Sequence, residues 1–322
     1  MLSQVLNCFW EMLLNEARQV TRLLSRHVSK ERMATLSSVL AARAACAHVV
    51  LENLSDPHNA AACLRTADVL GVQHVHIVQS HSPFIPVERA AIDCIREEAV
   101  KGYTGRGRVG AATSPAAMGS AKWLQIHTHT TIMHAYEFLR EQRVAIMASS
   151  LGDTAVPFTG ALLAAVPSPL LPADASKAAG HAPSYSGPGR CSDPNAAQVA
   201  LVFGNERRGT SSFAREACDQ LWYLPQRGLA QSLNVGVALG IACDGMMRHL
   251  HSIGSISLDS PQDGAGCWRG LGPEEVASPT PRPTPGSLHP HDREVQLAMW
   301  LLRDVRSADS ILRRHGVQLQ QW

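Results

Sequence analysis

None of the eight cysteines (Cys8, Cys46, Cys63, Cys94, Cys191, Cys218, Cys243 and Cys267) forms a C-x-x-C pair with another. Scattered through apolar and helical contexts, they read as small hydrophobes in a reducing compartment, with no structural zinc. Charge is also scarce. Asp, Glu, Lys and Arg make up 17% of the 322 residues and the net charge is +2, so no global excess of one sign announces a polyanionic partner. No apolar run reaches the length of a membrane span; residues 161–171 are short and interrupted by Pro167 and Pro169. Two nucleotide motifs are incomplete. Residues 204–211 (GNERRGTS) have the glycine spacing of a phosphate-binding P-loop but lack its lysine, and residues 102–107 (GYTGRG) lack the G-x-G-x-x-G order. These gaps argue against an ATPase and against a nicotinamide enzyme.

Outside two stretches rich in Ala, Pro, Ser and Gly, residues 161–197 and 252–290, short apolar runs alternate with helical patterns. The spacing predicts strands at 48–52, 74–79, 123–126, 144–148, 199–203 and 221–224. It predicts helices at 57–70, 86–100, 131–142, 211–218 and 232–250. A repeat of this kind, with strands apolar on both faces, implies an α/β fold around a parallel sheet flanked by helices. Ligands of such sheets bind beyond the carboxyl ends of the strands, here the loops at 149–153, 204–209 and 225–231. The two biased stretches offer little periodic apolar surface and are expected to be disordered or loosely attached.

Fifteen histidines include the alternating pairs His74/His76 and His127/His129, each pair sharing one face of its strand. With no Cys or carboxylate at ligand spacing, no metal site is expected. The first thirty residues are amphipathic, with Phe9, Met12, Leu13, Val20, Leu23 and Leu24 at helical spacing beside Arg18, Arg22, Arg26 and Lys30. An intracellular protein is expected, cytoplasmic unless this segment is a mitochondrial or plastid presequence; Glu11 and Glu16 weigh against a presequence, which is normally acid-poor. The alternative is a substrate-binding helical extension. Further basic clusters stand at Arg96, Lys101, Arg106 and Arg108 and at Arg303, Arg306, Arg313 and Arg314. Solvated helix faces explain any one of them, whereas several together suit a phosphate-tracking surface.

Three segments carry chemistry. Residues 226–250 (QRGLAQSLNVGVALGIACDGMMRHL) follow a short strand and open a helix at Ser232-Leu233-Asn234, with Ser232 read as its N-cap and Asn234 just inside. Gly236 and Gly240 each cost a helix roughly 1 kcal/mol against Ala, so something must approach that face closely. Residues 200–211 join an apolar strand to Gly204, Asn205, Glu206 and two arginines. In residues 52–72, Asp56 and Pro57 start a helix bearing Asn59 and Arg65, and Gly71 stops it.

In order, the three segments resemble the motifs of the SpoU, or TrmH-like, ribose 2′-O-methyltransferases of the SPOUT class. Asn59 and Arg65 match the first motif, Gly204, Asn205 and Glu206 the second, and Ser232, Leu233 and Asn234 the third. Residues 122–149 and 295–316 are similar to segments of the tRNA-specific members. Two departures stand out: Arg207 replaces the glycine that usually follows the glutamate, and residue 152, often Ser or Thr, is Gly. The resemblance implies a C-terminal trefoil knot with N- and C-terminal helical extensions. It divides the chain into a helical extension (1–45), a methyltransferase domain (46–251) with an insertion at 161–197, a linker (252–290) and a helical tail (291–322).

It further implies S-adenosylmethionine as cofactor, tRNA (at a D-loop guanosine) or rRNA as substrate, and a homodimer that places Arg65 near the partner's cofactor pocket. A non-catalytic RNA-binding protein of the same fold is the alternative. The implied pocket comprises Leu151, Gly152, Gly204, Leu224, Gly228 and Leu233. Asn59, Arg65, Glu206, Ser232 and Asn234 are the implied catalytic group, and Arg32, Arg43 and Arg248 the implied RNA contacts. A guanidinium with a pKa above about 12 is a poor base, so Arg65 is assigned to the adjacent phosphate and the developing alkoxide. Its mundane alternative is an i, i+3 pair with Asp68.

Overall fold

The computed structural model describes residues 2–80, 119–159, 162–163, 189–193, 195–258 and 284–317, with side chains from residue 13 onward. The expected helix at 86–100 and the basic cluster from Arg96 to Arg108 lie outside these residues. The strands are β1 (Ala44–Glu52), β2 (Val72–Val78), β3 (Gln125–His129), β4 (Ala145–Ser149), β5 (Val156–Pro157), β6 (Val199–Phe203) and β7 (Gln220–Tyr223). The helices are α1 (Leu2–Leu24), α2 (Lys30–Ala42), α3 (Pro57–Val69), α4 (Ile132–Glu141), α5 (Ser212–Ala217), α6 (Val235–Ser252), α7 (Pro290–Asp304) and α8 (Ala308–Arg314).

All nine residues of β1 are buried, so the strand needs cover on both faces. The sheet supplies that setting: its order is β3-β2-β1-β6-β4-β7-β5, and every pairing is parallel. Alternation along the strands splits the core. Val50, Ile146, Ala148 and Val202 face Ile132, Ala135, Tyr136 and Leu139 of α4 and Ala214 of α5. Val49, Leu51, Met147, Leu201 and Phe203 belong to the larger opposite core, with α1, α3, α6 and α7. The expected strand at 123–126 is displaced: residues 120–123 form a 3₁₀ turn and β3 starts at Gln125, where pairing with β2 begins. At the other edge β5 is too short for a period-2 pattern to reveal.

The glycine face of α6 is explained inside the chain. A Cβ on Gly236 would lie 3.5 Å from Ala62 Cβ, and one on Gly240 would lie 3.4 Å from Thr66 Cγ2, so the close neighbour is α3. The glycines are therefore not evidence for a partner subunit. The helix also starts later than expected. Asn234, not Ser232, is the N-cap, its Oδ1 accepting from Gly236 N at 2.9 Å.

The termini meet. α1 packs on α7, Arg18 bridges to Glu294 at 2.6 Å, and Asp304 accepts from Arg32 at 3.1 Å and Lys122 at 3.0 Å. Trp123 and Trp300 pack edge to face at 5.2 Å. The expectation of loose attachment fails at the margins of both biased stretches. Buried Asp292 accepts from Gly189 N and Arg190 N and is paired to the Arg190 guanidinium at 3.0 Å. Cys191 bridges to Leu288, Ser287 to Ala44, and Gly286 sits against Cys46. Backbone pairing and a desolvated carboxylate, rather than periodic apolar surface, fix these margins.

Five histidines on β1, β2 and β3 form an array beneath Phe138, with His48, His74 and His76 buried and His127 and His129 half-buried. His48 and His74 stack at 4.6 Å, and His76 and His127 at 4.5 Å. Gln198 donates its Nε2 to Gln142 O, leaving Oε1 to accept from His48 Nε2 at 3.4 Å. His48 Nδ1 then accepts from His76 Nε2, and His76 Nδ1 from His129 Nε2, each at 3.1 Å. Likewise His74 Nε2 donates to Gly189 O at 2.8 Å and its Nδ1 accepts from His127 Nε2 at 3.1 Å. The network thus assigns one tautomer, Nε2–H, to all five rings. Among the described residues no group of three or more His, Cys, Asp or Glu side chains could hold a metal ion, and no helix is long and apolar enough to cross a membrane.

Candidate active site at the carboxyl edge of the sheet

β6, β4 and β7 are neighbours, so the loops after Phe203, Ser149 and Tyr223 emerge side by side. Thr210 Oγ1 ties two of them by donating to Ser149 O at 2.8 Å. Leu151, Gly152, Asp153, Ala155, Tyr223, Leu224 and Gln226 line a cleft of about 410 Å³ between the β4 and β7 loops, within the range of small-molecule sites. Leu151, Gly152 and Leu224 were expected there. Asp153, Ala155, Tyr223 and Gln226 were not, though each but Ala155 adjoins, or stands within two residues of, an expected one. Gly228 and Leu233 stand farther along the exposed loop to α6.

Beside the cleft, Glu206, Asn59 and Asn234 form a hydrogen-bonded relay drawn from three distant segments. Asn59 Nδ2 donates to Glu206 Oε1 at 3.0 Å, and Asn234 Nδ2 donates to Asn59 Oδ1 at 2.8 Å. Glu206 also accepts from Ser55 N and Oγ, both at 2.9 Å, and from Asp56 N at 3.2 Å, which places the carboxylate at the N-terminus of α3. Partial burial raises its pKa, but the bonds from Asn59 and Ser55 outweigh that and hold it at about 2. Glu206 stays ionised and orients the two amides; it is no proton acceptor near neutrality. Ser232 is exposed, two residues from the relay.

The model of the SpoU rRNA methylase family matches residues 99–244, which hold the β4, β6 and β7 loops and the start of α6. The matched stretch is similar to the methylase domain of that family. It is 30% identical over 207 residues to the tRNA (guanosine(18)-2′-O)-methyltransferase of Escherichia coli (strain K12), over 64% of this chain and 65% of that one. It is 26% identical over 193 residues to the 23S rRNA (guanosine-2′-O-)-methyltransferase of Blochmanniella floridana, over 60% of this chain and 54% of that one. The chain therefore spans about 65% and 54% of the lengths of these relatives. The TrmH/SpoU tRNA modifying enzyme of A. aeolicus superposes with a TM-score of 0.51 at 19% identity, covering 89% of this chain and 99% of that one, a likeness of fold. Although α3 precedes the matched residues, the relay joins it to them through Asn59.

Arg65 is exposed on α3 and pairs with no described residue. Its alternative partner, Asp68, is taken by Arg43, which also donates to Asp68 O at 3.3 Å and Val72 O at 3.1 Å. Arg43 is 2% exposed and lies 5.5 Å from the Trp300 ring, so its assignment to RNA does not hold. A desolvated guanidinium needs an internal acid and carbonyls, and the fold supplies both. Arg32 is half-exposed but engaged with Asp304 and stacked at 5.3 Å on Trp123. Arg248 is exposed and pairs with Asp244 at 2.8 Å.

Gly204 has a stricter duty than lining a pocket. A Cβ there would meet Gly209 C and Thr210 N at 2.1 Å, because the chain doubles back across it. Gly204→Ala is expected to destabilise the fold by roughly 3 kcal/mol or more, since backbone cannot step aside as a side chain can. A thermal melt reads this directly. An unchanged melting temperature with weakened cofactor binding would return Gly204 to the pocket.

Proposed function

We propose that the protein transfers a methyl group from S-adenosylmethionine to a ribose 2′-hydroxyl of RNA, at a D-loop guanosine of tRNA. The observation that carries this reading is the Glu206–Asn59–Asn234 relay, which joins all three motif segments beside the cleft. The cleft suits the cofactor: Leu151 and Leu224 offer apolar walls, Asp153 and Gln226 polar groups, and a Cβ on Gly152 would meet only Ser150 Oγ, at 3.4 Å. The cofactor supplies an activated methyl group and its leaving group. The chain's own residues position the ribose: Asn59 and Asn234, fixed by Glu206, present amides of set polarity, and exposed Ser232 stands two residues from Asn234. Arg65 holds the neighbouring phosphate and stabilises the alkoxide as it forms.

In this reading residues 46–251 are the methyltransferase unit, closed by the trefoil knot that the resemblance implies. The described helices of residues 2–45 and 291–317 form a joint layer for RNA, with exposed Arg26, Arg306, Arg313 and Arg314. Ribosomal RNA is the second substrate, favoured by the rRNA-modifying relative. Incubation with labelled S-adenosylmethionine and unmodified transcripts decides: label is expected in tRNA, and label in rRNA alone would overturn the choice of substrate. A protein binding RNA but neither cofactor nor label would be the non-catalytic alternative.

Arg65 serves the reaction from a dimer. Val237 and Ile241 on α6 and Val69 on α3 are 52%, 50% and 76% exposed, an apolar strip beside Arg65. Two copies related by a twofold axis would bury it in an interface of roughly 1,000 Å² or more. Val237→Asp with Ile241→Asp is expected to give monomers in light scattering. A dimer of unchanged mass would show that the interface lies elsewhere.

A further inference from the structure

The loop carrying Glu206 also carries two arginines for which neither the fold nor the relay has a use. Most described arginines near acids are engaged: Arg18, Arg32, Arg43, Arg140, Arg190 and Arg248 each pair with a carboxylate. Arg207 and Arg208 are exposed and pair with no described residue. The one acid between these arginines and Asn205 is Glu206, whose oxygens are occupied by Ser55, Asp56 and Asn59.

Their backbone, in contrast, is held firmly. The N–H groups of Arg207 and Arg208 both donate to Asn205 Oδ1, at 2.9 and 3.2 Å. Asn205 and Gly209 exchange two backbone bonds of 3.0 and 2.8 Å, and Asn205 Nδ2 anchors the loop to Asn53 O at 2.6 Å. The loop is thus a rigid five-residue hoop. It presents two unneutralised guanidiniums one and two residues from the group that orients the ribose.

We propose that Arg207 and Arg208 are RNA-positioning residues that grip backbone phosphates flanking the target nucleotide. This rests on the RNA reading above. A fork of donors on a preorganised loop suits a phosphate, and ordering it costs side-chain entropy alone.

The test is fluorescence anisotropy of a labelled tRNA transcript with the full-length protein across a salt series, comparing wild type with the Arg207→Ala/Arg208→Ala and Arg207→Lys/Arg208→Lys variants. Each phosphate no longer neutralised lowers the slope of log affinity against log salt by about 0.7–0.9. The alanine pair is therefore expected to lower the slope by roughly 1.4–1.8, with calorimetric affinity for S-adenosylmethionine unchanged and the lysine pair near the wild-type slope. A wild-type slope in the alanine pair would overturn the proposal. So would an equal fall in the alanine and lysine pairs, which would mean that the loop had collapsed. Because the readout is binding, a slope change without methyl transfer would leave this inference standing and sink the enzymatic one.

Discussion

Arg65→Ala is expected to lower the methyl-transfer rate by about 10²–10³-fold, the usual cost of removing one electrostatic stabiliser from a reacting oxygen. The melting temperature should not move, because Arg65 is exposed and its only local acid, Asp68, is committed to Arg43. That combination separates chemistry from stability. A surface arginine without a task would leave both quantities unchanged, and a structural one would lower both. Single-turnover rates at saturating RNA and cofactor, set beside a thermal melt, distinguish the three cases. Near-normal turnover would remove Arg65 from the mechanism and leave the Asn59–Asn234 amides to position an ordinary hydroxyl.

The second large effect is on stability against acid. His48, His74, His76, His127 and His129 are largely buried, and burial pushes each below the usual imidazole value, His74 and His129 to about 4. Neighbouring rings add repulsion at His48, His76 and His127, and His134 does so at His129. For His74, the Gly189 carbonyl and Asp292 act in the opposite direction. The unfolded chain takes up protons below about pH 6.5 while the folded chain does not, so unfolding gains protons and stability falls with pH. The contribution is complete above about pH 6.5 and is lost as pH falls toward about 4. Each ring held neutral in the fold adds to the loss of stability as the pH falls. Protonating any ring would also set two donors against each other wherever its Nδ1 accepts from a neighbouring ring. Urea midpoints should be level from about pH 8 to 7 and drop steeply between about 6.5 and 5. A midpoint as high at about pH 5 as at about pH 7.5 would show that the rings can charge in place.

The parts of the site fixed by short-range pattern were legible in the sequence. Alternating apolar runs placed β1, β2, β4, β6 and β7 within a few residues, and Asp56-Pro57 marked the start of α3. Asn59, Glu206 and Asn234 were named from three separated motifs, and the fold brings them into one relay. What the sequence hid depends on partners far along the chain. Arg43 looked like a surface cation because Asp68 and Trp300 cannot be assigned to it without the fold. Gly204 resembled a pocket residue because its neighbour, the returning backbone at Gly209–Thr210, is visible only in three dimensions. The histidine pairs were visible as alternation, but the groups that complete their bonds are remote: Gln198 stands 150 residues from His48, and Gly189 stands 115 from His74. Asn234 was placed two residues too deep in its helix because Ser232 is an equally good cap by type; the bond to Asn59 selects Asn234.

The most direct measurement is the chemistry of the product. RNA labelled by the protein with methyl-labelled S-adenosylmethionine is hydrolysed in alkali, which cleaves a phosphodiester only through a free 2′-hydroxyl. The label is expected to survive in an alkali-resistant dinucleotide, from tRNA, and Asn234→Ala should reduce its yield without weakening cofactor binding. Label released in a mononucleotide would mean methylation on a base, and would contradict the assignment of this site to a ribose oxygen.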